Sequence, residues 1–202
     1  EKLGTISGFV LLDTDNNGTG DAPQAGVPVT MFEDKNNNGT ADPGEPTFAT
    51  VTDGTGFYSF PNLPPGNYVV KTTDPVNSQS VSDEDTTDDG DATDTDATVD
   101  NTVKVTLTPG ETDTRNEFVD ERLGNIRGNV SEDTNNDDAG EVNIAAVTLQ
   151  LIEDTDNDGI ADLGEPVKAT TVTDGSGNYA FLNQAPGNYV VVEQDATLPA
   201  GF

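Results

Sequence analysis

Asp154-Thr155-Asp156-Asn157-Asp158-Gly159-Ile160-Ala161-Asp162-Leu163-Gly164-Glu165 places oxygen-bearing side chains at positions 1, 3, 5, 9 and 12 of a twelve-residue stretch, with glycine at position 6. Carboxylates at the first three of these positions converge on one point only if the backbone turns sharply after the fifth residue. Gly159 has no Cβ and permits that turn. The Ile160 carbonyl then faces the same point, Asp162 reaches it directly or through a water, and Glu165 closes the sphere with both oxygens. This supplies the roughly six to eight hard oxygen ligands that calcium takes.

The same spacing occurs 120 positions earlier, in Asp34, Asn36, Asn38, Gly39, Thr40, Asp42 and Glu45. One match in so acidic a chain is weak. Two, each with its glycine and terminal glutamate, outweigh the bland alternative of a solvated Asp/Asn turn. The flanks then decide the fold. Val147, Leu149 and Leu151 alternate with Thr148, Gln150 and Ile152, which is strand periodicity. After each loop come Pro46 or Pro166 and a Thr/Val/Ala run that reaches Asp-Gly, again extended. The loops are read as calcium staples between β-strands, not as helix-flanked hands.

The rest of the composition fits an ion-dependent β protein. Only 32% of the 202 residues are hydrophobic, so each core must be small. Lys and Arg number 8 against 38 Asp and Glu, a formal charge of −30 that argues against nucleic acid and makes cations the natural partners. A solvating acidic surface accounts for part of that charge. With no cysteine and no histidine, disulfides, thiolate metal sites and the usual general base are absent. No apolar run approaches membrane-spanning length, and no leader is recognisable.

Aligned on itself, the sequence sets Leu3-Gly4-Thr5-Ile6-Ser7-Gly8 over Leu123-Gly124-Asn125-Ile126-Arg127-Gly128, an offset of 120. Beyond the prolines the offset is 121, where Thr52-Asp53-Gly54 lies over Thr173-Asp174-Gly175 and Pro65-Gly66-Asn67-Tyr68-Val69-Val70 over Pro186-Gly187-Asn188-Tyr189-Val190-Val191. Two domains are expected, 1–121 and 122–202, the second incomplete because residues 82–121 have no counterpart in it. The chain is read as a window on a longer tandem array. Repeats abut without a Gly/Ser or Pro linker at Glu121-Arg122-Leu123. In copy 1 strands are expected near 4–12, 27–33, 47–53, 56–61, 67–73, 102–108 and 113–119, which suits an all-β sandwich. Tyr58, Phe60, Tyr68 and Val70 fall on alternate positions and are assigned to the core; a sugar-stacking platform is the alternative.

Two more acidic stretches are candidate ion sites. Asp13, Asp15, Asn17, Gly18, Thr19 and Asp21 follow the first half of the calcium pattern, but position 12 is Gln24. Copy 2 offers Asp133, Asn135, Asp137 and Glu141, with Asp138 where the glycine belongs. The run from Asp83 to Asp100, containing Asp88, Asp91, Asp94 and Asp96, reads either as a disordered insert or as a third ion site. Glycan acceptors at Asn17 and Asn38 would fall inside calcium loops and are discounted.

Taken together, Gly-x-Ile-x-Gly, the Asp/Asn-rich first loop, the Gly-Glu-Pro closing the second, Thr-Asp-Gly-x-Gly-x-Tyr-x-Phe and Pro-Gly-x-Tyr-x-Val resemble the SdrD B-type repeat of bacterial surface proteins. The resemblance implies a tandem array of Ig-like, prealbumin-like (Cna B-type) β-sandwich domains, several calcium ions per repeat, and service as a stiff stalk in cell-surface adhesins. It also raises the standing of residues 88–96 as an ion site. Many members of the wider group carry a Lys-Asn isopeptide bond, which needs a lysine on an early strand; residues 4–12 and 124–131 contain none. Glu193 resembles that group's catalytic glutamate, but its copy 1 counterpart is Thr72. Calcium, not a covalent bond, is expected to hold these domains.

The leading functional expectation is therefore a non-enzymatic, extracellular, calcium-stiffened repeat of a fibre or adhesin stalk. Its partners are calcium ions and neighbouring repeats of the same chain or identical subunits. Two alternatives stand beside it: a carbohydrate- or protein-binding adhesin module, and a filament subunit completed by strand addition. A glycosidase needs two placed carboxylates, and 38 acidic residues supply such a pair by chance, so acidity does not support one.

Overall fold

A computed structural model describes residues 1–85, 99–194 and 197–198. The chain divides into two compact units, Glu1–Arg122 and Leu123–Phe202. Unit 1 contains β1 (Gly4–Asp13), β2 (Ala22–Pro23), β3 (Pro28–Glu33), β4 (Thr47–Val51), β5 (Phe57–Leu63), β6 (Gly66–Lys71), β7 (Ser78–Asp85), β8 (Thr102–Leu107) and β9 (Thr112–Arg122). They form two facing sheets. In the first, β1 pairs antiparallel with β5 and the short β2 on one side and parallel with β9 on the other, and β9 carries β7. The second is β4-β3-β6-β8, antiparallel throughout.

Period-two alternation dictates which side chains meet between the sheets. In β8, Val103, Val105 and Leu107 point inward while Thr102, Lys104 and Thr106 are partly exposed. Ile6 and Val10 from β1, Val29 and Met31 from β3, Tyr58, Phe60 and Leu63 from β5, Tyr68 and Val70 from β6, and Phe118 from β9 join them in one core with Val27. Tyr58 packs against Phe60 and Phe118 at ring distances of 6.0 and 6.3 Å. Tyr58, Phe60, Tyr68 and Val70 are at most 5% exposed, so in unit 1 they build the core and offer no stacking platform.

Strand β7 departs from the sequence expectation. Its residues, Ser-Gln-Ser-Val-Ser-Asp-Glu-Asp, show no apolar alternation and carry acids disfavoured in strands. The ladder to β9, running from Ser78 opposite Arg122 to Asp85 opposite Asn116, imposes the extended form. No lysine occurs on β1. Where it meets β9, the buried Asn116 amide donates to the Ser7 carbonyl at 3.0 Å and to Asp113 Oδ1 at 2.9 Å.

Unit 2 contains β10 (Gly124–Asn129), β11 (Ser131–Glu132), β12 (Val142–Asn143), β13 (Thr148–Glu153), β14 (Val167–Val172), β15 (Asn178–Gln184) and β16 (Tyr189–Glu193). Strand β10 pairs with β15, β11 with β12, and β13 lies between β14 and β16. Leu149, Leu151 and Phe181 are buried together, with Ile126, Tyr179, Tyr189 and Val191 half-buried against them. Among the described residues, no helix is long and apolar enough to cross a membrane.

Candidate metal centres

The twelve-residue stretches join β3 to β4 and β13 to β14. Each mouth is drawn shut by a backbone bond: the Glu33 N–H donates to the Pro46 carbonyl and the Glu153 N–H to the Pro166 carbonyl, both at 3.0 Å. The first aspartate is buried, Asp34 to 5% exposure and Asp154 to 6%. Its carboxylate gathers the loop backbone, accepting from the N–H groups of Asn38 (3.2 Å) and Gly39 (2.7 Å), or of Asp158 (3.2 Å) and Gly159 (2.9 Å). This requires left-handed backbone at positions 4 and 6, found at Asn37 (φ 54°) and Gly39 (φ 70°) and at Asn157 (φ 60°) and Gly159 (φ 78°).

The closing glutamate reaches back across the loop. Glu45 accepts from Lys35 N–H at 3.0 Å and Asp42 N–H at 2.9 Å; Glu165 accepts from Thr155 N–H at 2.7 Å and Asp162 N–H at 2.9 Å. Position 5 turns its side-chain oxygen onto the position-7 N–H, Asn38 onto Thr40 and Asp158 onto Ile160. Carboxylate oxygens of Asp154, Asp156 and Glu165 lie within 4.8 Å of one another, as do those of Asp156, Asp158 and Asp162. In the 34–45 loop the acids do not form such a group; Asp42 instead accepts the side-chain amides of Asn36 (2.9 Å) and Asn38 (2.8 Å). Burial, together with the neighbouring Asp158, raises the Asp156 carboxyl above its ordinary range.

The Asp13 and Asp133 loops, joining β1 to β2 and β11 to β12, repeat this plan in fewer residues. Asp13 accepts four backbone N–H groups, from Asp15 to Gly18, at 2.6–3.3 Å, and Asp133 accepts those of Asn135 to Asp138. Burial raises both carboxyls, but these bonds prevail and hold them below the usual range. The Asn17 side chain accepts the Thr19 N–H at 2.7 Å. Closure comes at position 9, where Asp21 accepts from Thr14 N–H (2.9 Å) and Glu141 from Thr134 N–H (2.8 Å), as Glu45 and Glu165 do at position 12. Oxygens of Asp13, Asp15 and Asp21 converge within 4.8 Å, and so do those of Asp133, Asp137 and Glu141. Gln24, at position 12, takes no part in closure: its amide donates to the Leu11 carbonyl and to Asp120. In the first loop of unit 2 the position-6 conformation falls on Asp138 (φ 67°). Asp138→Gly is expected to stabilise unit 2 by about 1 kcal/mol, since an L side chain resists the left-handed region. Denaturant titration checks this, and a loss of stability would count against it.

Of the third candidate region, Asp88, Asp91, Asp94 and Asp96 lie outside the described residues. Asp83, where the region begins, is 3% exposed and accepts the N–H groups of Asp100 (2.9 Å) and Thr102 (3.0 Å) through Oδ2. Its Oδ1 is buried with no hydrogen-bond partner among the described residues, and burial raises the carboxyl. Sequence reasoning missed three other buried acids on β9, Asp113 and Asp120, each 2% exposed, and Glu121, 4% exposed. None of them lies in a recognisable ligand spacing, so no local signal marked them.

Four acid-closed loops between β-strands define a class of all-β repeat with candidate cation sites in its strand connections. This chain belongs to the SdrD B-like domain family, which matches residues 4–119, more than half of its 202 residues. It is 29% identical over 195 residues to serine-aspartate repeat-containing protein F of Staphylococcus epidermidis, covering 92% of this chain and 10% of that protein. It is 31% identical over 201 residues to colossin-A of Dictyostelium discoideum, covering 97% of this chain and 2% of colossin-A. Among solved structures, the Bacillus anthracis TIE protein superposes with a TM-score of 0.43 at 18% identity, over 100% of this chain and 29% of that one. The chain thus spans a small part of each relative.

Proposed function

We propose that the chain is a calcium-stiffened structural repeat of a cell-surface fibre or stalk. The observation that carries this reading is common to all four loops: the closing carboxylate accepts the N–H that follows the first aspartate, so the two ends of each loop meet, and in three of the four the carboxylate oxygens converge within 4.8 Å. An all-oxygen, carboxylate-rich set of this kind suits a hard divalent cation of flexible coordination. Asp34, Asn36, Asn38, the Thr40 carbonyl, Asp42 and Glu45 would hold one ion; Asp154, Asp156, Asp158, the Ile160 carbonyl, Asp162 and Glu165 another. Asp13, Asp15, Asn17, Thr19 and Asp21, and Asp133, Asn135, Asp137 and Glu141, would hold two more. The orphaned Oδ1 of Asp83 fits a cation at the 83–100 region as well. The ions neutralise like charges and lock strand ends that otherwise flex; the family membership supports a repeat that spaces rather than catalyses.

Small-angle scattering of the 202-residue protein in calcium and in EDTA tests this. The maximum dimension is expected to be better defined in calcium, with a shift and broadening of the distance distribution on chelation. Identical profiles in the two buffers would defeat the stiffening role.

A further inference from the structure

Asparagines, not aspartates, stand at positions 3 and 5 of the 34–45 loop, so its acids are Asp34, Asp42 and Glu45 alone. Their oxygens form no converging group, and Asp42 is instead held by the amides of Asn36 and Asn38. A cation already stands beside these acids. Lys104 lies on β8, facing outward in the alternation that turns Val103 and Val105 into the core. Strand β8 pairs with β6, Thr106 opposite Asn67, and the Asn67 carbonyl accepts the Asp34 N–H at 2.8 Å. That ladder sets Lys104 against the loop. A Cβ on Gly39 would meet Lys104 Cε at 2.5 Å, Cδ at 3.0 Å and Nζ at 3.3 Å. Asp34, Gly39 and Lys104 also line one cavity of about 200 Å³, together with Asn38, Asn67 and Tyr68.

Position 6 is therefore glycine for two reasons: its left-handed backbone, at φ 70°, and the lysine stem that lies across it. A lysine that lays its methylenes on the backbone and keeps its ammonium in water is a point charge at a defined place. Lys35, at position 2 of the loop, turns the other way and pairs with Glu33 at 3.9 Å. The ammonium of Lys104 attracts the three carboxylates and repels a divalent ion twice as strongly as a monovalent one. Ligand charge is what tunes the affinity of loops of this kind.

We infer that Lys104 is a counter-ion built into unit 1 that sets the calcium affinity of the 34–45 loop, a role that rests on the calcium reading proposed above. When calcium is scarce, Lys104 offsets the repulsion among Asp34, Asp42 and Glu45 and steadies the empty loop. When calcium enters, the same charge opposes it. The loop consequently fills at a higher calcium concentration than its own ligands would set, and keeps its form below that concentration.

The test is a calcium titration of the full 202-residue chain at low ionic strength, followed by heteronuclear NMR, with the Gly39 and Gly159 amides reporting the two long loops separately. Lys104→Met keeps the stem and removes the charge. It is expected to lower the calcium midpoint at Gly39 by about fivefold or more and to leave that at Gly159 unchanged. Lys104→Arg keeps the charge and should stay within about twofold of the parent. In about 0.5 M KCl the gap between Lys104→Met and the parent should narrow, because screening shortens the reach of the ammonium to a few ångströms. In EDTA, unit 1 of Lys104→Met should melt below the parent. A Gly39 midpoint that Lys104→Met leaves unchanged, while Gly159 responds to calcium, overturns the inference alone. An Arg variant that titrates like the Met variant also overturns it, since packing and not charge would then be responsible. Gly39 and Gly159 amides that ignore calcium in every variant would defeat the calcium reading itself, and this role with it.

Discussion

Chelation is expected to lower the thermal midpoint of both units, and that of unit 2 the more. An ion that binds only the native state stabilises by RT ln(1 + [Ca]/Kd), about 2.7 kcal/mol at a hundredfold excess over Kd, which for a domain of this size corresponds to roughly 10 °C or more. Unit 2 depends on that term more heavily. Among the described residues its central cluster has three buried side chains against fourteen in unit 1, and its longer loop packs five carboxylates where unit 1 has three, so repulsion is greater without the ion. Glu165→Gln replaces one acceptor oxygen with a donor facing the N–H of Thr155 or Asp162. It should abolish most of the calcium-dependent gain in unit 2 and leave unit 1 unchanged. Calorimetry in calcium and in EDTA resolves the two transitions, and coincident traces in the two buffers would refute the expectation.

The difference between what the sequence disclosed and what it hid follows the range of the interactions involved. The 154–165 loop is legible because its bonds are local: Asp154 folds onto residues four and five positions on, and Glu165 onto Thr155 ten back. A twelve-residue template, however, misplaces the end of the shorter loops. It looks to Gln24, when Asp21 already closes the turn and Gln24 belongs to β9 through Asp120. Inward alternation at Tyr58, Phe60, Tyr68 and Val70 is likewise a local signal of burial. Strand β7 is not, since its extended form comes from a partner strand about forty residues away. In unit 2 the same alternation, at Tyr179 and Tyr189, yields half-burial, against 1–2% exposure for Tyr58 and Tyr68.

Asp120 shows most clearly how long-range burial creates a property that local sequence does not announce. It lies on β9 at 2% exposure; burial pushes its carboxyl up, the Gln24 amide at 2.7 Å pulls it partly back, and the Asp74 carboxylate raises it again, to about 6. The folded state therefore keeps this proton where the unfolded chain has lost it. Between about pH 4 and 6 the native form binds more protons, so unit 1 loses stability as pH rises through that window. Asp120→Asn retains an oxygen for the Gln24 amide and offers an N–H to Asp74 without charge. At pH 7.5 in EDTA the variant should be more stable than the parent by on the order of 2–3 kcal/mol, a gain that vanishes near pH 4. Denaturant titrations at pH 4, 5, 6 and 7.5 measure the difference directly. If parent and variant differ by the same amount at every pH, the raised carboxyl of Asp120 does not govern the acid side of the stability curve.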